Sequence, residues 1–240
     1  LKPDELFIKI VKDELVELLG GESAELNTDG KPAILMLVGL QGAGKTTLLK
    51  TVAGVYKADS GEVLFDGENI YDNARQKSRL FYVPDDIYFK AYANMNKMAA
   101  FYNGYYRNFS YDTFRSLTDV FGLDPKKNLN GFSKGMQRQA ALILSLSTKP
   151  KYILLDEAFD GLDVVMRRVL ANIIMESVEK YGMTAVIASH NLLELENVCD
   201  HIAVVHEGKI ISKLKGMFYK FIDITDLIPY SPRGSVVYFF

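Results

Sequence analysis

Two stretches of this sequence combine residue types that can do chemistry on a polyphosphate. The first is Gly39-Leu40-Gln41-Gly42-Ala43-Gly44-Lys45-Thr46, followed by Thr47. Glycines at this spacing let backbone N–H groups curl around an anion, and a helix opening behind them aims its positive end at the same point. A lysine there adds a point charge for the β- and γ-phosphates, and a threonine hydroxyl is a hard oxygen ligand for Mg²⁺. Gly39, Gln41, Gly42, Ala43, Gly44, Lys45, Thr46 and Thr47 therefore read as a Walker A loop for a nucleoside triphosphate. The second stretch, Tyr152-Ile153-Leu154-Leu155-Asp156-Glu157, is an apolar run ending in two acids, the Walker B arrangement. Asp156 is expected to hold Mg²⁺, and Glu157 to orient and polarise an attacking water as general base. Either stretch alone has an ordinary explanation, a Gly-rich turn or two solvated acids. Together they specify a nucleotide site.

The elements that must position these groups follow from periodicity. Ala33–Val38 is a continuous apolar run that suits a strand buried on both faces, and a helix follows from about Lys45 to Val55. Gly61–Ile70 reads as a hairpin turning at Asp66-Gly67, and Leu80–Val83 as a strand stopped by Pro84. Residues 87–123 are helical and rich in aromatics. Helices are expected over Phe132–Ser147, Val164–Glu179 and Leu192–Val198, with strands at Tyr152–Leu155 and Met183–Ala188. Ile202–Val205 and Lys209–Leu214 form a second hairpin. Asp4–Leu19 has an apolar residue at helical spacing and a Gly20-Gly21 stop, so it reads as an amphipathic helix. The fold class is α/β: a P-loop NTPase with a mostly parallel sheet flanked by helices, an inserted helical subdomain and a reduced antiparallel β subdomain. The divisions are 1–32 (helix and loop), 33–215 (nucleotide-binding domain, helical subdomain about 87–148) and 216–240, an unplaced tail.

Composition narrows the partners. The chain has 240 residues, 28 basic and 30 acidic, for a net charge of −2, so no electrostatic argument favours nucleic acid or an anionic membrane surface. Cys199 is the one cysteine, which excludes an internal disulfide and fits a reducing compartment. No apolar run is long enough to span a bilayer, and no signal peptide is visible. The chain begins with Leu1 rather than Met, so a true N-terminus is not assumed.

From about Thr46 to Leu214 the sequence resembles the ABC (ATP-binding cassette) ATPases. Asp160-Gly161-Leu162-Asp163 is similar to their D-loop, Ser189-His190 to the strand end carrying the switch histidine, and Phe132-Ser133-Lys134-Gly135-Met136 to the signature ahead of a helix. The resemblance implies that Ser133 and Gly135 cap the γ-phosphate bound by an opposite subunit, that Asp163 belongs to the nucleotide site, and that His190 joins Lys45 and Glu157 in catalysis. It implies ATP and Mg²⁺ as ligands and a homo- or heterodimer of cassettes. It also implies a transmembrane permease partner and a cytoplasmic, peripheral location. Lys134 and Met136 replace a Gly and the Gln of the usual signature. Asp85 stands where the family carries a Gln, and is expected to ligate Mg²⁺ or its water.

Family members begin with antiparallel strands and an aromatic residue that stacks on adenine. Residues 1–38 do not show them. Phe7–Leu26 and Ala33–Thr47 instead resemble the signal recognition particle GTPases, which implies a chimera joined within Gly42–Thr47. Such a join predicts open edges on both hairpins and a weakened preference for adenine. The alternatives are a signal recognition particle-type GTPase in protein targeting, against which stands the absence of a Thr-Lys-x-Asp guanine-reading segment, a non-transport ABC protein, or a non-functional chimeric product.

Overall fold

The computed structural model describes residues 33–190, 198–206, 208–215 and 237–239. Its framework is a six-stranded sheet in the order β4-β5-β6-β1-β7-β8. The strands are β1 (Ile34–Val38), β4 (Leu80–Val83), β5 (Tyr152–Asp156), β6 (Thr184–Ser189), β7 (His201–His206) and β8 (Lys209–Lys215). All neighbours are parallel except β7 and β8, which form the second expected hairpin.

Both faces of the central strands are buried, as an uninterrupted apolar run demands. Alternate side chains serve two cores. Met36, Val38, Ile153, Leu155 and Ile187 pack on one side with the helices α3 (Met95–Tyr105), α4 (Tyr111–Phe121), α5 (Lys134–Ser147) and α6 (Val164–Tyr181). Leu35, Leu37, Leu154, Val186 and Ala203 pack on the other side around Leu49 and Val52 of α1 (Lys45–Val52). Truncating one such residue, for example Leu154→Ala, removes contacts that the rigid sheet cannot replace and costs about 2–5 kcal/mol.

Helix α1 stops at Val52, short of the expected Val55, because Gly54 takes a left-handed φ of 64° and its N–H turns to the Thr51 carbonyl. A one-turn helix, α2 (Ala74–Lys77), was not expected; Asn73 caps it by accepting from the Gln76 N–H. The helical stretch 87–123 resolves into α3 and α4, capped by Asn94 and Ser110.

The first expected hairpin is β2 (Val63–Phe65) against β3 (Glu68–Asn69), with Asp66 at φ 49° in the turn. Its far edge is not open, contrary to expectation. β9 (Val237–Phe239) pairs parallel to β2 and satisfies the ladder groups of that strand. Three residues of the unplaced tail thus belong to the small sheet. Among the described residues β8 ends its sheet. The helices expected at Asp4–Leu19 and Leu192–Val198 lie outside the described residues, wholly and in their greater part respectively.

Candidate nucleotide site

The order β5-β6-β1 puts three carboxyl-terminal strand ends side by side, and each carries one part of the site. From β1 comes the loop 39–44. Gly39 is buried where any Cβ would fall 2.2 Å from the Val205 carbonyl oxygen of β7. Gly44, at φ 97°, lets the chain turn from this loop directly into α1. Gly42 and Gln41 are exposed and Ala43 is buried, its carbonyl accepting from the Gly208 N–H of the β7–β8 turn. Leu40, at the loop tip, is 64% exposed.

Lys45 and Thr46 occupy the first turn of α1. The Lys45 ammonium donates to the carbonyls of Gly39 and Leu40 and stands 3.5 Å from Glu157 Oε1. It is 6% exposed, so its charge is held inside the site. The Thr46 hydroxyl donates to Asp156 Oδ1 at 3.1 Å. Thr47 is exposed, and its carbonyl accepts from the Thr51 hydroxyl.

Strand β5 ends in Asp156, which is fully buried. Burial pushes its carboxyl above the ordinary value, as do the charges of Asp85 and Glu157, while the hydroxyls of Thr46 and Tyr82 partly oppose the rise. Tyr82, on the neighbouring β4, donates to Asp156 Oδ2 at 3.1 Å. The sequence had not marked Tyr82; only the β4–β5 register places it there. Two oxygens, Thr46 Oγ1 and Asp156 Oδ1, thus face one another in a part-buried pair, and the donor set suits a hard divalent cation. Bound there, Mg²⁺ supplies positive charge to the triphosphate oxygens.

Glu157, next along the chain, adopts φ 47°, an uncommon conformation for a residue with a side chain. Its N–H donates to the Ala188 carbonyl, and its Oε2 receives the backbone N–H of His190 at 3.2 Å. The His190 ring Nδ1 lies 3.0 Å from the same oxygen, so the end of β6 fixes the orientation of the carboxylate.

Four expected site residues are placed elsewhere. The Asp85 carboxylate does not join Thr46 and Asp156. Its Oδ1 accepts from the Arg138 guanidinium at 2.6 Å, although the sequence places it among the metal ligands. The physical reason is a fixed cation within reach and a backbone that leaves β4 at Pro84. Ser133 is exposed and caps α5 by accepting from the Met136 N–H, and Gly135 lies beside Gly161. Asp163 caps α6 by accepting from the Met166 N–H at 2.9 Å. Ser133 is thus exposed at a helix N-terminus, and Gly135 is half-buried against the turn at Gly161.

A family model described as "ABC transporter" matches residues 29–160, more than half of the chain. The chain belongs to the ABC transporter family. The ABC transporter ATP-binding protein YtrB of Bacillus subtilis is 29% identical over 180 residues, 75% of this chain and 62% of that protein. The lantibiotic transport ATP-binding protein SrtF of Streptococcus pyogenes is 33% identical over 185 residues, 75% of this chain and 78% of that protein. The fold is shared with an ATP-binding subunit of an ABC transporter, TM-score 0.71 at 23% identity, covering 77% of this chain and 79% of that one. It is also shared with the dimeric cassette MJ0796, TM-score 0.69 at 18% identity, covering 77% and 86%. ATP and Mg²⁺ are therefore the ligands of this P-loop ATPase site.

The match spans Gly42–Thr47 and takes in residues 29–41, which were expected to follow the signal recognition particle GTPases. A join at the Walker A loop receives no support. The signal recognition particle-like helix itself lies outside the described residues.

Proposed function

We propose that this chain is the ATP-hydrolysing subunit of an ABC transporter, working as a dimer of cassettes on a transmembrane permease. One observation carries the reading: Lys45, Thr46, Asp156, Glu157 and His190 converge from three adjacent strand ends. In this reading the loop amides and Lys45 grip the β- and γ-phosphates, and Thr46 and Asp156 hold Mg²⁺. Glu157, aimed by His190, polarises the attacking water.

Ser133 and Gly135 would close over the nucleotide of the opposite cassette, identical or not, with the N-terminus of α5 directed at the γ-phosphate. Asp163 contributes by fixing the start of α6. The α3 lobe divides its aromatics between two tasks. Tyr102 and Tyr106 pack on Phe81 and belong to the core. Tyr88, Tyr92 and Tyr105 are 85%, 79% and 67% exposed and, with Phe101, offer the surface for a permease. Among the described residues no helix is long and apolar enough to cross a membrane, so a peripheral position on the cytoplasmic face would come through that permease.

The test is nucleotide titration of the folded protein with and without Mg²⁺, followed by phosphate release. Mg²⁺-dependent ATP binding and turnover are expected. Folded protein without Mg²⁺-dependent affinity for any nucleoside triphosphate refutes the reading.

A further inference from the structure

Arg138 lies one turn into α5, on the helical lobe, with its side chain 14% exposed. Its guanidinium reaches two loops at the ends of sheet strands. Nη1 donates to the Asp160 carbonyl at 2.6 Å. Nη2 donates to the Asp85 carboxylate at 2.6 Å and to the Asp85 carbonyl at 3.0 Å. One planar group thus ties together the loop leaving β4, the turn after β5 and the signature helix.

The turn it grips is the one that carries the proposed general base. The Asp160 N–H donates to the Glu157 carbonyl at 3.1 Å, closing a tight turn over Glu157–Asp160. Asp160 Oδ2 also stands 4.0 Å from the His190 ring. The same turn meets α5 a second time. A Cβ on Gly135 would come within 2.9 Å of the Gly161 carbonyl oxygen, so helix and turn are in backbone contact. Glu157, at φ 47°, needs surrounding structure to hold it, because that backbone conformation is costly for a residue with a side chain.

We propose that Arg138 is a positioning residue for Glu157. It clamps the Glu157–Asp160 turn from the helical lobe, and Asp85 orients its guanidinium. Asp85 thereby acts on hydrolysis through Arg138 and not through the metal. Arg138 touches neither Lys45, Thr46 nor Asp156, so nucleotide affinity and the chemical step should respond to it separately. This inference rests on the hydrolytic reading of the site.

Arg138→Gln, Arg138→Lys, Asp85→Ala and the double variant Asp85→Ala/Arg138→Gln are assayed for kcat, KM and Mg²⁺-ATP affinity, with thermal melting alongside. A displaced base costs about 10–100-fold in rate. Arg138→Gln is expected to lower kcat by that factor while affinity changes less than about threefold. Lysine cannot span both loops, so Arg138→Lys should melt like wild type yet recover little of the rate. The double variant should be no slower than Arg138→Gln alone, since both changes break one unit. Wild-type kcat in Arg138→Gln, full rescue by lysine, or additive losses in the double variant would each overturn the proposal. An inactive wild type that does not hydrolyse ATP defeats the functional reading instead, and is distinguished by that control.

Discussion

Replacing Glu157 by Gln should separate ATP binding from ATP turnover, and it should move them in opposite directions. Two contacts set the magnitudes. The Lys45 ammonium is 3.5 Å from Glu157 Oε1, and the two side chains are only 6% and 13% exposed. At an effective dielectric near 20 the gross attraction at that distance is about 5 kcal/mol. An arriving triphosphate must draw Lys45 away from this carboxylate and from the carbonyls of Gly39 and Leu40. Desolvation of both charges offsets most of the pair energy, leaving a net competition on the order of 1 kcal/mol, or about fivefold in affinity. Glutamine has nearly the same shape, so the His190 N–H keeps an oxygen acceptor while the competing charge disappears. Repulsion between the carboxylate and the γ-phosphate disappears with it. Mg²⁺-ATP should therefore bind about fivefold tighter or better. Turnover should fall by roughly 10²–10⁴-fold, the usual contribution of a positioned base. Calorimetric titration with a non-hydrolysable analogue gives the first quantity and single-turnover phosphate release the second. Unchanged turnover would remove Glu157 from the role of base. Weakened binding would show that Lys45 is not held in competition by Glu157.

Other perturbations test the buried acid and the clamp beneath the small sheet. Asp156→Asn takes a fully buried carboxyl, already pushed above its ordinary value, and makes it neutral. The apo protein should gain roughly 1 kcal/mol in a denaturant melt, as active-site replacements often do, while the Mg²⁺ dependence of ATP binding is lost. Asp66 behaves oppositely. Burial works upward on it, but hydrogen bonds from Lys151, Tyr152 and Arg79 outweigh that and hold its carboxyl at about 2, below the ordinary 3.8. Its stabilising contribution is thus complete above about pH 4 and is lost as pH falls towards 2. Because the cluster is partly solvated, about 1 kcal/mol is expected. Asp66→Asn keeps the left-handed turn and should flatten the pH dependence of the melt in that interval; an unchanged acid profile would refute the clamp. Gly135→Ala drives a methyl group into the Gly161 carbonyl, and turnover should drop by about tenfold or more with ATP affinity nearly intact, read by the same pair of assays.

Much of this molecule was written in its sequence because the signals were local. A glycine loop between an apolar run and a helix, and a second apolar run ending in two acids, each carry their meaning within a few residues. The strands β1, β4, β5 and β6 came out within a residue or so of their expected places, since continuous burial leaves an uninterrupted apolar pattern. Ser133 and Asp163 were legible as residues near helix starts for the same reason. The tertiary structure decided what depends on strand order and on long-range reach. No local pattern says that β6 lies between β5 and β1, yet that order brings His190 to Glu157. Nor does one say that Tyr82 faces Asp156, that Val237–Phe239 closes the edge of β2, or that a cation from α5 reaches Asp85. A side chain's type fixes which bonds it is able to make. Only the packed chain fixes which partner arrives within three ångströms of it, and a carboxylate goes to the cation it can reach.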